Sequence, residues 1–272
     1  MIDLHAHTTA SDGQHPPIEL MAIAARAGVT HLAVTDHDTV AGLAEADSAA
    51  QAHGISLIPG IEVSAYIGRR EVHVLGHFVD RDNPELQAYS VRLRSEREAR
   101  MRRMVEQVQK LGYAITFEEV EKVAAGGQMG RPHLAQVLLE RGICSSFQEA
   151  FERFLTDGKP GFVDRERLTA ADAIALIRQA GGVATVAHPG ASRLDRPEIT
   201  AMREAGLDGI EVHHGDHAPG LREKYLHLAR DLNLIPTAGS DFHGETVTPH
   251  RKLGSAAMAP QLFAALAARA TP

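Results

Sequence analysis

Residues 1–13 read MIDLHAHTTASDG and place two histidines, His5 and His7, at the end of a short apolar run. The run predicts a first β-strand over IDLHAH. Side chains two positions apart on a strand point to the same side, so both rings face one direction, about 6.5 Å apart along the backbone. Buried imidazoles without partners are costly, and a shared metal ion would offset that cost. The opening stretch therefore indicates a metal site at the end of a first buried strand.

The rest of the chain alternates short apolar strands with helical stretches. Further strands are predicted at HLAVTDHD, ISLIPGIEVSA, EVHVLGHFVD, VATVAHPG, GIEVHH and LIPTAGSDFH. Alternation of this kind predicts a parallel sheet covered by helices. About seven such units favour an α/β fold with a closed or nearly closed β/α barrel. An open doubly wound sheet is the alternative, but no glycine-rich nucleotide-binding fingerprint supports it.

One long segment interrupts the alternation. Residues 83–156 show no convincing strand, and their charged helical pattern is followed by TFEEVEKVAAGG, where Thr116 and Glu119 form a capping-box signature. A further helix is predicted from GRPHLA onward. We therefore expect a β/α barrel over residues 1–82 and 157–272, and a helical insertion over residues 83–156.

Composition and charge narrow the classes of partner. The net charge of −7 argues against an extended nucleic-acid surface. No apolar run reaches the roughly 18 residues that span a bilayer, and the N-terminus lacks the features of a signal peptide. We therefore expect a cytoplasmic protein that binds neither a membrane nor long nucleic acid and has no obligate protein partner. The single cysteine, Cys144, excludes a zinc site built on cysteines of this chain.

Chemically active side chains collect at the predicted strand ends. They are His5, His7, Asp36, His37, Asp38, Glu62, His73, His77, His188, His213, His214, Asp241 and His243. In β/α barrels the C-terminal ends of the strands form the active face. Nitrogen and oxygen ligands without sulfur suit Mn²⁺, Zn²⁺ or Fe²⁺, and two or three adjacent ions suit hydrolysis of phosphate esters. About 13 Å of backbone separates His73 from His77, so we favour His73 as a ligand and expect His77 behind the ligands or at another position.

The motifs HAHTTASDG, TDHD, GIEVS, HVLGH, AHPG and GSDFHG together resemble those of the PHP (polymerase and histidinol phosphatase) family of metal-dependent phosphoesterases. GRPHLA resembles the TrpH/YciV-like branch, which is similar to nucleoside 3′,5′-bisphosphate phosphatases and to 5′→3′ exoribonucleases acting on short RNA. The resemblance implies a distorted seven-stranded (β/α) barrel with a helical insertion. It also implies up to three divalent ions, with Mn²⁺ expected first and Zn²⁺ or Fe²⁺ as alternatives.

The resemblance further implies a ligand set. One ion would be held by His5, His7, Glu62 and Asp241, a second by Glu62, His73 and His188, and a third by Asp12, His37 and His243. Asp12 and His37 would also contact the substrate and take part in catalysis. His213 or His37 would supply a proton to the leaving oxygen, because imidazole titrates near neutral pH, and His213 would also contact the substrate.

A second phosphate on the substrate needs cations of its own. Arg131 and His133 are the best candidates, because a guanidinium can bind a phosphate through two hydrogen bonds, and Lys159 is a weaker one. This role would make the helical insertion a substrate lid over the barrel. The alternative for Arg131 is a capping or ion-pairing role at the start of its helix.

The predicted function is that of a phosphoric monoester hydrolase. It would remove the 3′-phosphate of nucleoside 3′,5′-bisphosphates, such as 3′-phosphoadenosine 5′-phosphate, by means of a metal-activated hydroxide. The alternatives are a 5′→3′ exoribonuclease on short 5′-phosphorylated oligonucleotides, a histidinol-phosphate phosphatase, and a non-catalytic metal-stabilised accessory module. GRPHLA argues against histidinol phosphate, and a complete ligand set argues against the non-catalytic module. The expected partner is a small phosphorylated nucleotide or a short oligonucleotide.

Overall fold

The computed structural model describes residues 1–124, 129–164 and 168–270. The chain divides into two compact units. The first contains Met1–Ser90 and Arg167–Pro272, and the second contains Val91–Glu166. The helical insertion that we predict over residues 83–156 overlaps the second unit, and its function as a lid stays a prediction.

One seven-stranded sheet, in the order β1 to β7, organises the first unit. The strands are β1 (Ile2–Asp3), β2 (His31–Val34), β3 (Ser56–Ile67), β4 (Arg70–His77), β5 (Val183–Val186), β6 (Gly209–His213) and β7 (Ile235–Ala238). The segments that follow β1 and β7 meet, since Leu4 N–H donates to the carbonyl of Ala238 and Ala6 bridges to Phe242. The sheet is therefore nearly closed into a barrel, as the alternation of strands and helices predicts.

The expectation of an all-parallel sheet is wrong at one strand. β4 runs antiparallel to both β3 and β5, whereas the other neighbouring strands are parallel. The reason is the short connection between β3 and β4, which consists of Gly68 and Arg69 only. A parallel crossover needs a dozen or more residues, while two residues suffice for a hairpin, and Gly68 supplies the positive φ that the turn requires.

Ten α-helices accompany the sheet in the described residues. They are α1 (Pro17–Arg26), α2 (Leu43–His53), α3 (Pro84–Lys110), α4 (Phe117–Ala124), α5 (Arg131–Glu140), α6 (Phe147–Ala150), α7 (Ala170–Gln179), α8 (Arg196–Glu204), α9 (Pro219–Asp231) and α10 (Pro260–Ala267), with a π-helical turn at Phe151–Leu155. In α1, Leu20, Met21 and Ala24 are fully buried on one face of the helix. None of the helices in the described residues combines the length and the apolar composition that a transmembrane span needs.

The second unit has a hydrophobic core of its own. Its most buried side chains come from α3, α4, α5 and the π-helical turn and include Met104, Val108, Val120, Leu134, Leu138 and Leu155. The predicted capping box is present, because Thr116 N–H donates to Oε2 of Glu119 and Glu119 N–H donates to Oγ1 of Thr116. A separate core of this kind is typical of an independent folding unit.

Candidate metal centre

The site begins where β1 ends. β1 covers only Ile2–Asp3, shorter than the predicted IDLHAH, but the following residues keep an extended pairing: Asp241 N–H donates to the carbonyl of His5, and His7 N–H to that of Phe242. The alternation of side chains therefore continues past the strand. His5 and His7 face the same side, and their Nε2 atoms lie 3.1 Å apart.

Glu62 lies at the centre of the cluster and is completely buried. β3 places it there, and backbone pairing with the TDHD segment brings it beside His37. Its Oε2 lies 3.1 Å from Nε2 of both His5 and His7 and 3.2 Å from Nδ1 of His37, while its Oε1 lies 2.8 Å from Nδ1 of His73 and 3.0 Å from Nε2 of His188. One carboxylate thus contacts five imidazoles.

Among the described residues, three groups of side chains each gather their ligand atoms within 4.8 Å of one another. They are His5, His7, Glu62 and Asp241; His7, Asp12, His37 and His243; and His37, Glu62 and His73. The groups overlap because they share His7, His37 and Glu62. His188 adjoins the third group through Glu62. The structure therefore brings all nine predicted ligands to one place.

The chemistry of the donor set fits divalent metal ions. Nε2 of His5 and Nε2 of His7 face each other, and they also face Oδ1 of Asp241 at 3.3 and 3.2 Å. That oxygen is buried and lacks a well-aligned hydrogen bond within the described chain. Converging nitrogen and oxygen lone pairs in a buried position are costly on their own and are satisfied by a cation.

The carboxylates and two of the histidines, His7 and His73, hold each other in charged forms. Burial alone would lower the pKa of His7 and of His73, but Asp241 and Glu62 raise the pKa of His7 to about 10, and Glu62 raises that of His73 to about 10. Burial would raise the pKa of Glu62 and Asp241, but the surrounding histidines hold both well below the usual range. Metal ions that bind here must therefore displace protons from the rings.

The two aspartates of TDHD fix the loops around His37. Asp36 accepts hydrogen bonds from the backbone and hydroxyl of Thr8, both at 2.8 Å, and from Oγ of Ser11 at 2.7 Å. This anchors the loop that carries Asp12. Asp38 accepts hydrogen bonds from the hydroxyl of Tyr89 and the backbone of Ser64. His37 between them turns into the cluster, where its Nδ1 lies 3.2 Å from Oε2 of Glu62.

His77 lies behind the ligands, one of the two positions that the sequence left open. It is fully buried on β4, and its Nε2 donates to the carbonyl of Leu4 at 2.9 Å. Burial, aided by the nearby His5, lowers the pKa of His77 to about 4. Through this hydrogen bond the neutral ring holds Leu4, the residue between β1 and His5, in place.

Replacement of His77 by glutamine should reduce the loss in the free energy of unfolding that occurs as the pH falls from 6.5 to 4. The unfolded chain takes up a proton near pH 6.5 and the folded chain only near pH 4, so the neutral ring stabilises the fold above pH 6.5. This contribution, roughly 3 kcal/mol, is lost as the pH falls from 6.5 to 4. Urea unfolding of the metal-free protein at pH 7.5, 6, 5 and 4.5 measures it. An unchanged pH slope in His77→Gln would contradict this assignment.

At the end of β6, the histidine that lies in the cluster is His214, whereas the sequence favoured His213. A register shift between Glu211 and His213 interrupts the alternation. As a result His214 lies in the cluster: its Nδ1 accepts from Asp216 N–H, and its Nε2 contacts Oδ2 of Asp241 at 3.1 Å. His213 is half-buried, and burial together with Arg222 lowers its pKa. The role of His213 as a proton donor stays a prediction.

Sequence reasoning also missed Glu211 and Arg251. Glu211 is buried and accepts hydrogen bonds from Nδ1 of His5 and from the backbone N–H of His188. Arg251 pairs with Oδ2 of Asp241. An acid in the apolar stretch GIEVHH was an available signal for Glu211, whereas an arginine in a loop carries no such signal.

The three residues predicted to bind the second phosphate, Arg131, His133 and Lys159, lie in the second unit. Arg131 at the start of α5 donates to the carbonyl of Leu155, and Nδ1 of His133 accepts from the backbone N–H of Gly130, which caps the same helix. Lys159 is exposed. Arg131 and His133 thus have local structural partners, and their contacts with a substrate stay predictions.

Comparison with known proteins identifies the family. Residues 3–156, more than half of the chain, match the family model for the PHP domain. The chain belongs to the PHP family. This confirms the resemblance of its motifs to those of the PHP family.

Relatives of this PHP protein are hydrolases of phosphate esters. It is 37% identical to the 3′,5′-nucleoside bisphosphate phosphatase of Chromobacterium violaceum over 247 residues, which cover 89% of this chain and 87% of that protein. It is 36% identical to the 5′-3′ exoribonuclease of Haemophilus influenzae, with 89% of each chain covered. The crystal structure of a protein described as a metal-dependent phosphoesterase from Bifidobacterium adolescentis has a TM-score of 0.85 at 31% identity and covers 99% of this chain and 96% of its own.

Proposed function

We propose that this PHP protein removes the 3′-phosphate from nucleoside 3′,5′-bisphosphates with the help of up to three divalent ions, Mn²⁺ in the first place. The observation that carries the proposal is the overlap of three ligand groups through His7, His37 and Glu62. Shared ligands bring ions close enough to act together on one phosphoryl group. The relative named as a 3′,5′-nucleoside bisphosphate phosphatase supports the choice of substrate.

Exposure indicates the side from which the phosphate arrives. The side chains of His5 and His7 are completely buried, that of His37 is partly exposed, and that of Asp12 is half exposed. Bound ions would supply Lewis acidity toward the phosphoryl oxygens and would lower the pKa of a water molecule. Asp12 and His37, at the accessible side, orient the substrate, while the buried histidines keep bulk water from the centre.

The leaving 3′-oxygen needs a proton, and two histidines are candidates. Burial lowers the pKa of His37, and burial together with Arg222 lowers that of His213. A lowered pKa reduces the fraction of each ring that is protonated at neutral pH, although the protonated ring is then the stronger acid. His37 belongs to two ligand groups, where a ring that binds an ion must be neutral, so we propose His213 first and His37 second for the proton transfer.

The 5′-phosphate requires separate cations, for which we propose Arg131, His133 and Lys159. The guanidinium of Arg131 can bind a phosphate through two parallel hydrogen bonds. Its guanidinium lies over the rings of Phe151 and Phe162 and donates one N–H to the carbonyl of Leu155 at 3.3 Å. A guanidinium has five N–H donors, so further donors can bind a phosphate.

A second candidate function is 5′→3′ exoribonuclease activity on short RNA. It is favoured by the 36% identity to the relative of that name in Haemophilus influenzae. Both functions need a 5′-phosphate anchor and the same ions, so they are distinguished by the substrate that the enzyme turns over fastest.

A substrate panel with Mn²⁺ tests the proposal. We expect the highest kcat/KM for a 3′,5′-bisphosphonucleotide, followed by a 5′-phosphorylated dinucleotide and then histidinol phosphate. Asp12→Asn serves as the inactive control, because it removes the charge of the accessible ligand. A dinucleotide turned over faster than the bisphosphate would replace the proposed function by the exoribonuclease.

The same assay, extended to an aryl phosphate, tests the phosphate anchor. Arg131→Ala should raise KM for the bisphosphate by about tenfold or more, because it removes a charge-assisted hydrogen bond to the 5′-phosphate. KM for an aryl phosphate, which lacks that phosphate, should change little. Equal increases for both substrates would show that Arg131 has only its structural role at the start of α5.

A further inference from the structure

Both carboxylate oxygens of Glu211 accept hydrogen bonds from residues of the predicted ligand set. It lies on β6, and it is 1% exposed. Its Oε1 accepts from Nδ1 of His5 at 3.0 Å, and its Oε2 accepts from the backbone N–H of His188 at 2.7 Å. It belongs to none of the three ligand groups among the described residues.

The contact with His5 determines which ring nitrogen faces the centre. An ionised carboxylate can only accept, so Nδ1 of His5 carries the proton in this contact. The lone pair of a neutral His5 ring is then on Nε2, the atom that lies 3.1 Å from Glu62 and 3.3 Å from Asp241. The other tautomer would place a proton on Nε2, where a metal ion has to bind.

The contact with His188 fixes a strained turn. His188 has φ of +25°, a region that non-glycine residues rarely adopt and that needs support from its surroundings. Glu211 supplies that support through the backbone N–H, while the His188 ring reaches Oε1 of Glu62 at 3.0 Å. The same carboxylate therefore supports ligands of two different ions in the proposed centre.

We propose that Glu211 is a positioning residue of the metal centre, which fixes the tautomer of His5 and the turn that carries His188. The proposal rests on the metal centre of the proposed function. A carboxylate that accepts from the far nitrogen of a metal-binding histidine orients the ring and increases its basicity, and its loss typically weakens metal binding by about 10- to 100-fold.

Glu211→Gln is the variant that separates positioning from simple packing. Glutamine has nearly the same volume but only one acceptor oxygen, so it cannot accept from both His5 and His188. Glu211→Asp keeps the charge and shortens the reach by one methylene. The matched control is Asp208→Asn, because Asp208 is a buried acid next to β6 whose partners are Arg178 and Arg269.

Metal binding, measured without substrate, is the first readout. In calorimetric titrations of the metal-free proteins with Mn²⁺, we expect Kd to rise about 10- to 100-fold in Glu211→Gln, less in Glu211→Asp, and by less than twofold in Asp208→Asn. Thermal unfolding of each metal-free variant shows whether it folds. If Glu211→Gln does not fold, the Kd of Glu211→Asp relative to Asp208→Asn decides.

The tautomer of His5 is the second readout, and a structural role alone would not change it. Long-range ¹⁵N–¹H spectra of histidine-labelled, Cd²⁺-loaded protein should show the His5 proton on Nδ1 in the wild type and a mixed state in Glu211→Gln. Unchanged Mn²⁺ affinity in Glu211→Gln, or a wild-type His5 proton on Nε2, would overturn the positioning role alone. A wild-type protein that binds neither Mn²⁺ nor Cd²⁺ would overturn the proposed function and this role together.

Discussion

Replacement of Glu62 by glutamine is expected to lower kcat by about a thousandfold or more and to deplete the protein of metal. Glu62 is the carboxylate that contacts five imidazoles, and both of its oxygens are used. Glutamine retains one acceptor oxygen, and its amide N–H groups would point at ring nitrogens that must offer lone pairs. It also removes the negative charge that two of the three ligand groups share.

Metal content and turnover together measure this effect. Elemental analysis after dialysis against Mn²⁺ should show fewer ions per chain in Glu62→Gln than in the wild type, and the bisphosphate assay should show the loss in kcat. Glu198→Gln is the control, because the partly exposed Glu198 pairs with Arg70 and belongs to none of the ligand groups of the described residues. Full metal content with kcat within tenfold of wild type would contradict a central role for Glu62.

The period of two residues along a strand accounts for what the sequence predicted well. It placed His5 beside His7. This pair enters the ligand groups even though β1 ends before it. The prediction held because the backbone pairing of the barrel extends beyond the strands, from Ala6 to Phe242.

Local departures from that period account for what was missed. The register shift in β6 separates Glu211 from His213 and brings His214 to the cluster instead. The sequence GIEVHH does not distinguish a regular strand from a strand with a β-bulge, because the bulge arises from the pairing of β6 with β7. The antiparallel β4, by contrast, was predictable, since only Gly68 and Arg69 separate it from β3.

Buried acids outside the ligand groups hold the loops that carry the ligands. Asp3 accepts from the backbone N–H groups of His5, Ser240 and Gly254, and Asp36 anchors the loop before Asp12. Each carboxylate accepts hydrogen bonds from backbone N–H groups near the metal centre, which would otherwise need water as a partner. The chain thus uses buried carboxylates both to hold the proposed ions and to fix the loops around them.

Gly239→Ala is expected to lower the free energy of unfolding by about 1 to 3 kcal/mol and to weaken metal binding. A Cβ at this position would lie 2.3 Å from Cβ of His5 and 2.7 Å from Oε1 of Glu211. Cβ of His5 is attached directly to the backbone and cannot swing aside, so the segment after β1 must move. That movement separates His5 from Glu211 and displaces its Nε2 from the ligand group.

Urea unfolding of the metal-free protein and Mn²⁺ titration measure the two effects of Gly239→Ala. The matched control is Gly220→Ala, since a Cβ at Gly220 meets no atom within 4 Å and the residue lies in the first turn of α9. Alanine there should leave metal binding unchanged and stabilise the fold by up to about 1 kcal/mol, because it favours the helix over glycine. Equal unfolding midpoints for the two variants would show that the backbone beside His5 tolerates an added methyl group. Equal Mn²⁺ affinities would show that the tight packing of His5 against Gly239 does not affect metal binding.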